Sequence, residues 1–237
     1  MSIPDPGKIP GRGAVTRASL ITAAIEVFGR DGYDAASTRA IARSAGANQA
    51  LIGYHFGGKQ GLYLAVFEQI TARMAATMLP VGAAVSADLE ALEPLPNPQT
   101  ARDLGRDGIE RIFFAFTGML AQPESAGWIK MILREQQEPT DAFNVIFVGM
   151  MEPMLSLLTR LVALGTGLDA AGEEARLRAF MLLGQVLVFV VARSTANRYL
   201  GWSGFDDGHS DAIRAQLKQC IAAQLNRDDS NDRDVKS

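Results

Sequence analysis

Apolar residues recur at helical spacing along most of this chain. From Leu20 to Phe28 they return every three or four positions, which predicts a first helix. Thr16 is the predicted N-cap of this helix, and Gly32 is placed to end it near Arg30. Alternation with a period of two does not extend over any useful length of the sequence, so we expect an all-α protein without a sheet.

Two short helices across a tight turn are predicted next. Ser37 stands as an N-cap before a helix that begins at Thr38, Gly46 breaks that helix, and Asn48 starts the second one. This spacing predicts a helix-turn-helix, whose second helix lies in the major groove of DNA. The predicted core of this small domain consists of Phe28, Tyr33, Ile41, Leu51 and Phe56.

The remaining helices follow from apolar stripes and from the breaks between them. A long helix is predicted from Lys59 to about Met78, and the proline-containing stretch from Pro80 to Pro98 is predicted to be a long loop or a broken short helix. The later predicted helices are Gln99–Ala121, Ser125–Gln137, Thr140–Leu164 with a kink at Pro153, Ala170–Tyr199 and Ser210–Asn226.

This pattern divides the chain into four parts. We expect a flexible arm at residues 1–15 and a three-helix helix-turn-helix domain at 16–62. A larger helical domain for ligand binding and dimerisation is expected at 63–226, followed by a disordered tail at 227–237. A length of 237 residues agrees with more than one domain.

Charge and composition narrow the class of protein. The net charge is −3, but residues 1–60 carry seven Lys or Arg against four Asp or Glu, which gives that end a positive balance suited to DNA phosphates. A single cysteine, Cys220, excludes an intramolecular disulfide and fits a reducing compartment. The apolar run Phe180–Ala192 is too short to span a bilayer, which takes about 20 residues. We expect a cytoplasmic protein without a signal peptide or a membrane partner.

The outward positions of the helix-turn-helix carry hydrogen-bonding or basic side chains, the types that contact base edges and phosphates. Gln49 has the chemistry to pair with adenine and Arg39 with guanine. The predicted DNA-contacting residues are Thr38, Arg39, Asn48, Gln49, Tyr54, His55 and Lys59. The chain shows no Ser/His/Asp, Cys/His or metal-spaced set, so we predict no catalytic residues, no metal and no cofactor.

Three stretches resemble a known family. The run G-Y-H-F-G-G-K-Q-G-L-Y, Gly53–Tyr63, is similar to the signature that closes the DNA-binding domain of TetR-family regulators, and Ala23–Ala42 resembles their first two helices. The motif R-E-Q-Q-E-P-T, Arg134–Thr140, resembles the CecR-type subgroup. The resemblance implies base reading at the positions of Arg39 and Gln49.

The same resemblance implies that Tyr54, His55 and Lys59 hold phosphates. The sequence departs from the family at Gly53, where an aromatic residue that helps to hold phosphate is frequent. For His55, a packed histidine with a satisfied ring remains the alternative.

The larger domain is expected to bind a small, largely apolar effector. Its centre is rich in aromatic and methionine side chains, which adapt to bulky apolar ligands, although ordinary core packing explains many of them. The predicted ligand-binding residues are Met74, Phe113, Phe116, Trp128, Met131, Phe147, Met150 and Met151. Arg111, Arg134, Glu135, Gln136 and Asn144 are the polar candidates for orienting the ligand.

A homodimer through the last two predicted helices is expected. The helix Ala170–Tyr199 is apolar around most of its circumference, and the last helix carries a stripe of Ile213, Leu217, Ile221 and Leu225. The family builds its dimer from two such helices of each chain. A two-fold dimer places two recognition helices about one DNA turn (~34 Å) apart, so the operator is expected to be a near-palindrome.

These features favour a DNA-binding repressor that a ligand releases from its operator. Two alternatives stay open at the level of sequence. One is an all-α enzyme that uses an acid pair such as Glu135 and Glu138; the other is a ligand-binding or protein-interaction module whose helix-turn-helix does not bind DNA.

Overall fold

The computed structural model describes residues 11–91, 97–122, 124–204 and 207–225. Within those ranges the chain is helical and contains no strand, so the predicted all-α fold is confirmed. The helices are α1 (Arg12–Ala35), α2 (Thr38–Ser44), α3 (Ala50–Phe56), α4 (Lys59–Glu90), α5 (Pro98–Ala121), α6 (Ser125–Gln137), α7 (Asp141–Ile146), α8 (Glu152–Thr166), α9 (Glu173–Val191), α10 (Arg193–Leu200) and α11 (Asp207–Leu225), with a π-helical turn at Phe147–Met151.

The chain forms two compact units that interleave along the sequence. The first contains the described residues up to Ala72 together with Ala126–Ile146, and the second contains Arg73–Ser125 and the described residues from Phe147 onward. Most of α6 and all of α7 therefore belong with the N-terminal helices. The domain ranges 16–62 and 63–226 stay a prediction.

The core of the first unit is built around the middle of α1, where most residues from Leu20 to Gly29 are buried. Phe28 and Ile41 are fully buried, as predicted, whereas Leu51 and Phe56 are only half-buried. Tyr33 is 37% exposed, contrary to the prediction, because it lies beyond the break at Gly32 and packs at the rim of the core. Its ring centroid is 6.0 Å from that of Phe28, in a stacked arrangement.

Helix α1 begins earlier than predicted. Gly11 is its N-cap, and Thr16 lies inside the helix, where its hydroxyl donates to the Arg12 carbonyl at 3.0 Å. The predicted cap at Thr16 is therefore wrong, and so is the predicted flexible arm over residues 12–15, because a threonine can satisfy its hydroxyl within a helix. The predicted break at Gly32 is confirmed by its positive φ of 83°. Residues 1–10 of the predicted arm and the tail at 227–237 lie outside the described residues.

Helix α4 continues to Glu90, so the predicted end near Met78 is wrong, and so is the predicted loop or broken short helix over residues 80–90. Residues 92–96 of that predicted stretch lie outside the described residues. An internal proline removes one helix hydrogen bond and its ring crowds the carbonyl four residues earlier, so packing of the surrounding helix must offset this cost at Pro80. Packing supports this part of the helix, because Val85 is buried and the Arg111 guanidinium meets the Asp88 carboxylate at 2.6 Å.

Two other predicted helices are interrupted. The kink expected near Pro153 takes the form of the π-helical turn, which ends two residues before this proline and shifts the backbone hydrogen-bond register there. The predicted helix Ala170–Tyr199 starts only at Glu173 and bends by 79° at Ala192, between α9 and α10. Neither glycine nor proline marks that bend in the sequence.

The core of the second unit joins α5, α8 and α11. The predicted dimer stripe of the last helix is buried inside the protomer, so that part of the interface prediction is wrong; its residues are Ile213, Leu217, Ile221 and Leu225. Arg214 holds α11 against α5, since its guanidinium donates to the Thr117 hydroxyl at 3.0 Å and to the Phe114 carbonyl at 2.9 Å. The helix begins at Asp207, before the predicted start at Ser210, and Asn226 lies outside the described residues.

By length and composition alone, two helical stretches would suit a bilayer, namely Lys59–Glu90 and Asp141–Thr166. The second stretch exposes Glu152 and Arg160, charges that lipid would disfavour. The absence of a membrane partner stays a prediction.

Candidate DNA-binding site

The helix-turn-helix forms as its cap and turn residues predict. The Ser37 hydroxyl oxygen accepts from the Ala40 backbone N–H at 3.1 Å, which caps α2. Gly46 has a φ of 62° and lets the chain turn sharply after α2. The Asn48 side-chain oxygen accepts from the Ala50 N–H at 2.9 Å and so fixes the start of α3.

The predicted DNA-contacting side chains occupy a polar face of this segment. Arg39, Asn48, Gln49 and Tyr54 are exposed, whereas Thr38, His55 and Lys59 are half-buried. Tyr54 is 81% exposed, which leaves most of this amphipathic ring available to a second molecule.

Two of these residues are joined. The Gln49 side-chain amide donates to the Thr38 hydroxyl at 3.0 Å, which links the beginnings of α2 and α3. This bond orients the Gln49 amide in the absence of DNA. It uses the amide nitrogen as donor, and the amide oxygen takes no part in it. Pre-orientation lowers the entropy lost when such a side chain binds.

Lys59 has an intramolecular role in addition to its predicted phosphate contact. Its ammonium donates to the Asp34 carbonyl at 3.1 Å and lies 4.6 Å from the centre of the Tyr33 ring. The side chain therefore connects the first residue of α4 to the end of α1. A lysine ammonium has three donors, so this contact leaves two for a phosphate.

A polar network that the sequence analysis missed lies in the same compact unit. The buried Glu135 carboxylate accepts from the Tyr63 hydroxyl at 2.9 Å, and from both the backbone N–H and the hydroxyl of Thr140 at 2.9 Å. Burial and the hydrogen bond to Glu135 raise the pKa of the Tyr63 phenol. Glu135 is thus neither an exposed acid beside Glu138 nor a free ligand-orienting group. No sequence signal identified Tyr63 as its partner.

The predicted ligand-binding residues are divided between the two compact units. Trp128 and Met131 are buried in the first unit. The second unit contains the others, of which Met74, Phe113 and Met150 are buried and Phe116, Phe147 and Met151 are half-buried. Their role in ligand binding stays a prediction. Among the described residues, no group of three or more His, Cys, Asp or Glu side chains could hold a metal ion.

Comparisons with known proteins agree with this geometry. Residues 20–66 match the family model for bacterial regulatory proteins of the tetR family. They include α2 and α3, the helix-turn-helix that is called the reader from here on. Residues 106–226 match the model for the C-terminal domain of the HTH-type transcriptional dual regulator CecR. The chain belongs to the TetR family of bacterial transcriptional regulators, and within it to the CecR-like regulators.

The HTH-type transcriptional dual regulator CecR of Shigella flexneri is 34% identical to this chain over 202 residues, which cover 85% of this chain and 87% of that protein. The resemblance to CecR-type regulators that the sequence motifs indicated is thereby confirmed. Both family models and this relative describe transcriptional regulators. The protein is therefore a DNA-binding regulator rather than an enzyme.

Solved structures share the fold. A putative TetR-family regulator from Mesorhizobium loti superposes with a TM-score of 0.59 at 19% identity, over 91% of this chain and 98% of that one. The fatty acid degradation regulator FadR from Bacillus halodurans gives a TM-score of 0.59 at 17% identity, over 93% and 100%.

Proposed function

We propose that the protein is a cytoplasmic, homodimeric repressor that binds a near-palindromic operator and leaves it when a small, largely apolar ligand binds. The observation that carries the DNA-binding step is the polar face of α2 and α3. Arg39, Gln49 and Tyr54 are exposed there, and Arg39 and Gln49 carry the hydrogen-bonding groups that contact base edges.

In this proposal α3 lies in the major groove. Gln49 pairs with adenine and Arg39 with guanine, the pairings that their donor and acceptor geometry favours. Thr38, Asn48, Tyr54, His55 and Lys59 hold the phosphates on either side, which positions the helix without reading sequence.

An exposed apolar stripe on α9 supports dimerisation. The stripe consists of Leu177, Met181, Gly184, Val188 and Val191, spaced alternately by four and three residues, with Phe180 beside it. Its large side chains are each at least half exposed in the protomer, and a patch of this kind marks a protein interface. A second copy of the chain would cover it and would present two readers to successive turns of DNA.

Ligand release requires that the effector bind one conformation of the dimer more tightly than the other. The aromatic and methionine side chains of the second unit, Phe113 and Met150 among them, are the proposed contacts. Helix α4 is one element, with residues 59–72 in the first unit and 73–90 in the second, and it is the proposed route by which ligand binding changes the spacing of the readers.

Selection of bound duplexes from a random-sequence pool tests the DNA-binding step. We expect a near-palindrome to be enriched, with an affinity that falls steeply as salt concentration rises. A module whose helix-turn-helix does not bind DNA would enrich no sequence. Titration of the selected duplex in the presence of apolar candidate ligands tests induction, and unchanged affinity at saturating ligand would contradict it.

A further inference from the structure

The motif R-E-Q-Q-E-P-T, Arg134–Thr140, has no part in base reading or in the dimer stripe. It belongs to the stretch that matches the CecR C-terminal domain, yet it lies in the same compact unit as the helix-turn-helix. The contacts that hold it there explain what the motif contributes.

Helix α6 approaches α1 to backbone contact. A Cβ atom added at Gly29 of α1 would lie 2.9 Å from the carbonyl oxygen of Gly127 in α6. A Cβ atom added at Gly127 would lie 3.4 Å from the side chain of Ile25. Glycine at both positions permits this close approach of the two helices, and the backbones are already in contact there.

Arg134 binds the end of α1. Its guanidinium donates to the Phe28 carbonyl at 2.6 Å and lies 3.5 Å from the position that a Cβ atom of Gly32 would occupy. Phe28 precedes the break at Gly32 by four residues, so its carbonyl lies in the last turn of the regular helix. A cation is favourable there because that end of a helix carries partial negative charge.

Glu135, the next residue, binds the beginning of α4. Glu135 is 3% exposed, and its carboxylate accepts a hydrogen bond from the Tyr63 hydroxyl, while Thr140 supplies two further donors from the loop after α6. A buried carboxylate needs such bonds, because desolvation without them is costly. The Tyr63 ring in turn packs edge-on against Phe28, with centroids 5.0 Å apart.

The reader α2–α3 is the segment that connects the end of α1 to the beginning of α4. We infer that Arg134 and Glu135 are positioning residues for this reader, forming a clamp that fixes both of its flanks from one helix. Loss of the clamp frees the flanks to move relative to each other and so lowers the population of the DNA-competent arrangement. The effect on DNA affinity rests on the proposed function; the effect on the reader's local stability does not.

Amide hydrogen exchange of the full-length protein tests the local effect without DNA. Glu135→Gln retains size but presents an amide N–H₂ to one side of the network, and Tyr63→Phe removes only the hydroxyl. Glu138→Gln is the matched control, because it removes the same charge from the same segment and leaves these bonds intact. We expect both clamp variants to exchange about tenfold faster across residues 38–56, with α8 unchanged.

Wild-type exchange in the reader of both clamp variants would overturn the inference. A uniform increase over all helices would overturn it as well, since that result indicates general destabilisation instead of positioning. Tyr63→Phe keeps the test decisive if Glu135→Gln does not fold.

The second measurement is affinity for the duplex that the wild-type protein selects. We expect Glu135→Gln to weaken binding about tenfold, which corresponds to roughly 1.4 kcal/mol, while Glu138→Gln binds like the wild type. Faster exchange with unchanged affinity would contradict a positioning role. If the wild type selects no duplex, the proposed function fails, and hydrogen exchange alone decides whether the clamp exists.

Discussion

At the scale of single residues, Tyr63 combines a packing role with a titratable one. Its hydroxyl donates to a buried carboxylate, and burial and this bond raise the pKa of the phenol above its ordinary value of 10.0. Above that pH the folded protein keeps a proton that the unfolded chain loses, so folding stability must fall as the pH rises.

We therefore expect the wild type to lose up to about 1.4 kcal/mol of unfolding free energy per pH unit above pH ~10 through this group. The Tyr63→Phe variant lacks the phenol, so its unfolding free energy should decline less steeply above pH ~10. Below pH ~9 the two proteins should show the same slope of unfolding free energy against pH. Denaturant unfolding at a series of pH values measures both slopes. Parallel curves above pH 10 would show that Tyr63 does not contribute.

Arg39, Gln49 and Lys59 should separate base reading from phosphate contact. Arg39→Ala and Gln49→Ala are each expected to cost roughly 1–3 kcal/mol of binding free energy and to relax specificity at one base pair. Lys59→Ala should weaken binding to all sequences alike and lower the salt dependence by about one counterion. Competition binding against duplexes with single base changes, repeated at several salt concentrations, distinguishes the two outcomes.

Lys59→Ala should also lower folding stability, because the ammonium contacts the Asp34 carbonyl and the Tyr33 ring. Arg39 is exposed, so Arg39→Ala should unfold at the wild-type temperature and serves as the control. A stable Lys59→Ala protein with unchanged salt dependence would indicate that the lysine does neither job.

At the scale of helices, the packing of α1 on α6 depends on glycine. Gly29→Ala places a methyl group 2.9 Å from the Gly127 carbonyl oxygen, so the two backbones must separate. We expect a loss of about 1–3 kcal/mol in unfolding free energy, as for other overpacked interiors. Gly13→Ala, in the same helix, meets only the edge of the His55 ring at 3.8 Å and should be neutral or slightly stabilising. Denaturant titration of both variants gives the comparison.

Single-residue signals in the sequence predicted some helix bounds correctly, although the predicted cap at Thr16 was wrong. Ser37 and Gly46 fixed the bounds of α2, since a cap and a positive φ are properties of single residues. The continuation of α4 past Pro80 and the bend at Ala192 depend on tertiary packing, which no local pattern reports. The site shows the same division. The exposed face of α2 and α3 was predicted, because it follows from local helical spacing. The hydrogen bond between Tyr63 and Glu135 was not predicted, because it joins residues 72 positions apart in the sequence.

At the scale of the whole molecule, the apolar stripe on α9 makes a prediction about assembly. Val188→Glu introduces a charge in the middle of the stripe, and burying that charge without a partner at a two-fold interface is strongly unfavourable. We expect the variant to sediment as a monomer and to lose affinity for the palindromic duplex more than for a half-site. Analytical ultracentrifugation measures the first effect and gel shift the second.

Ala76→Glu provides the control, since it adds the same charge at an exposed position of α4 outside the stripe. A Val188→Glu protein that remains dimeric would exclude this stripe as the centre of the interface.

The interleaving of the two units has a consequence for protein engineering. A chimera that grafts the TetR-like N-terminus of this chain onto the body of another regulator, with a junction near residue 72, would leave behind the segment Ala126–Ile146. The transplanted piece would then expose the α1 surface at Gly29 and the unpaired Tyr63 hydroxyl, unless the recipient happened to supply an equivalent of α6. Functional hybrids should therefore require two crossover points, with residues 126–146 transferred alongside the helices that read DNA.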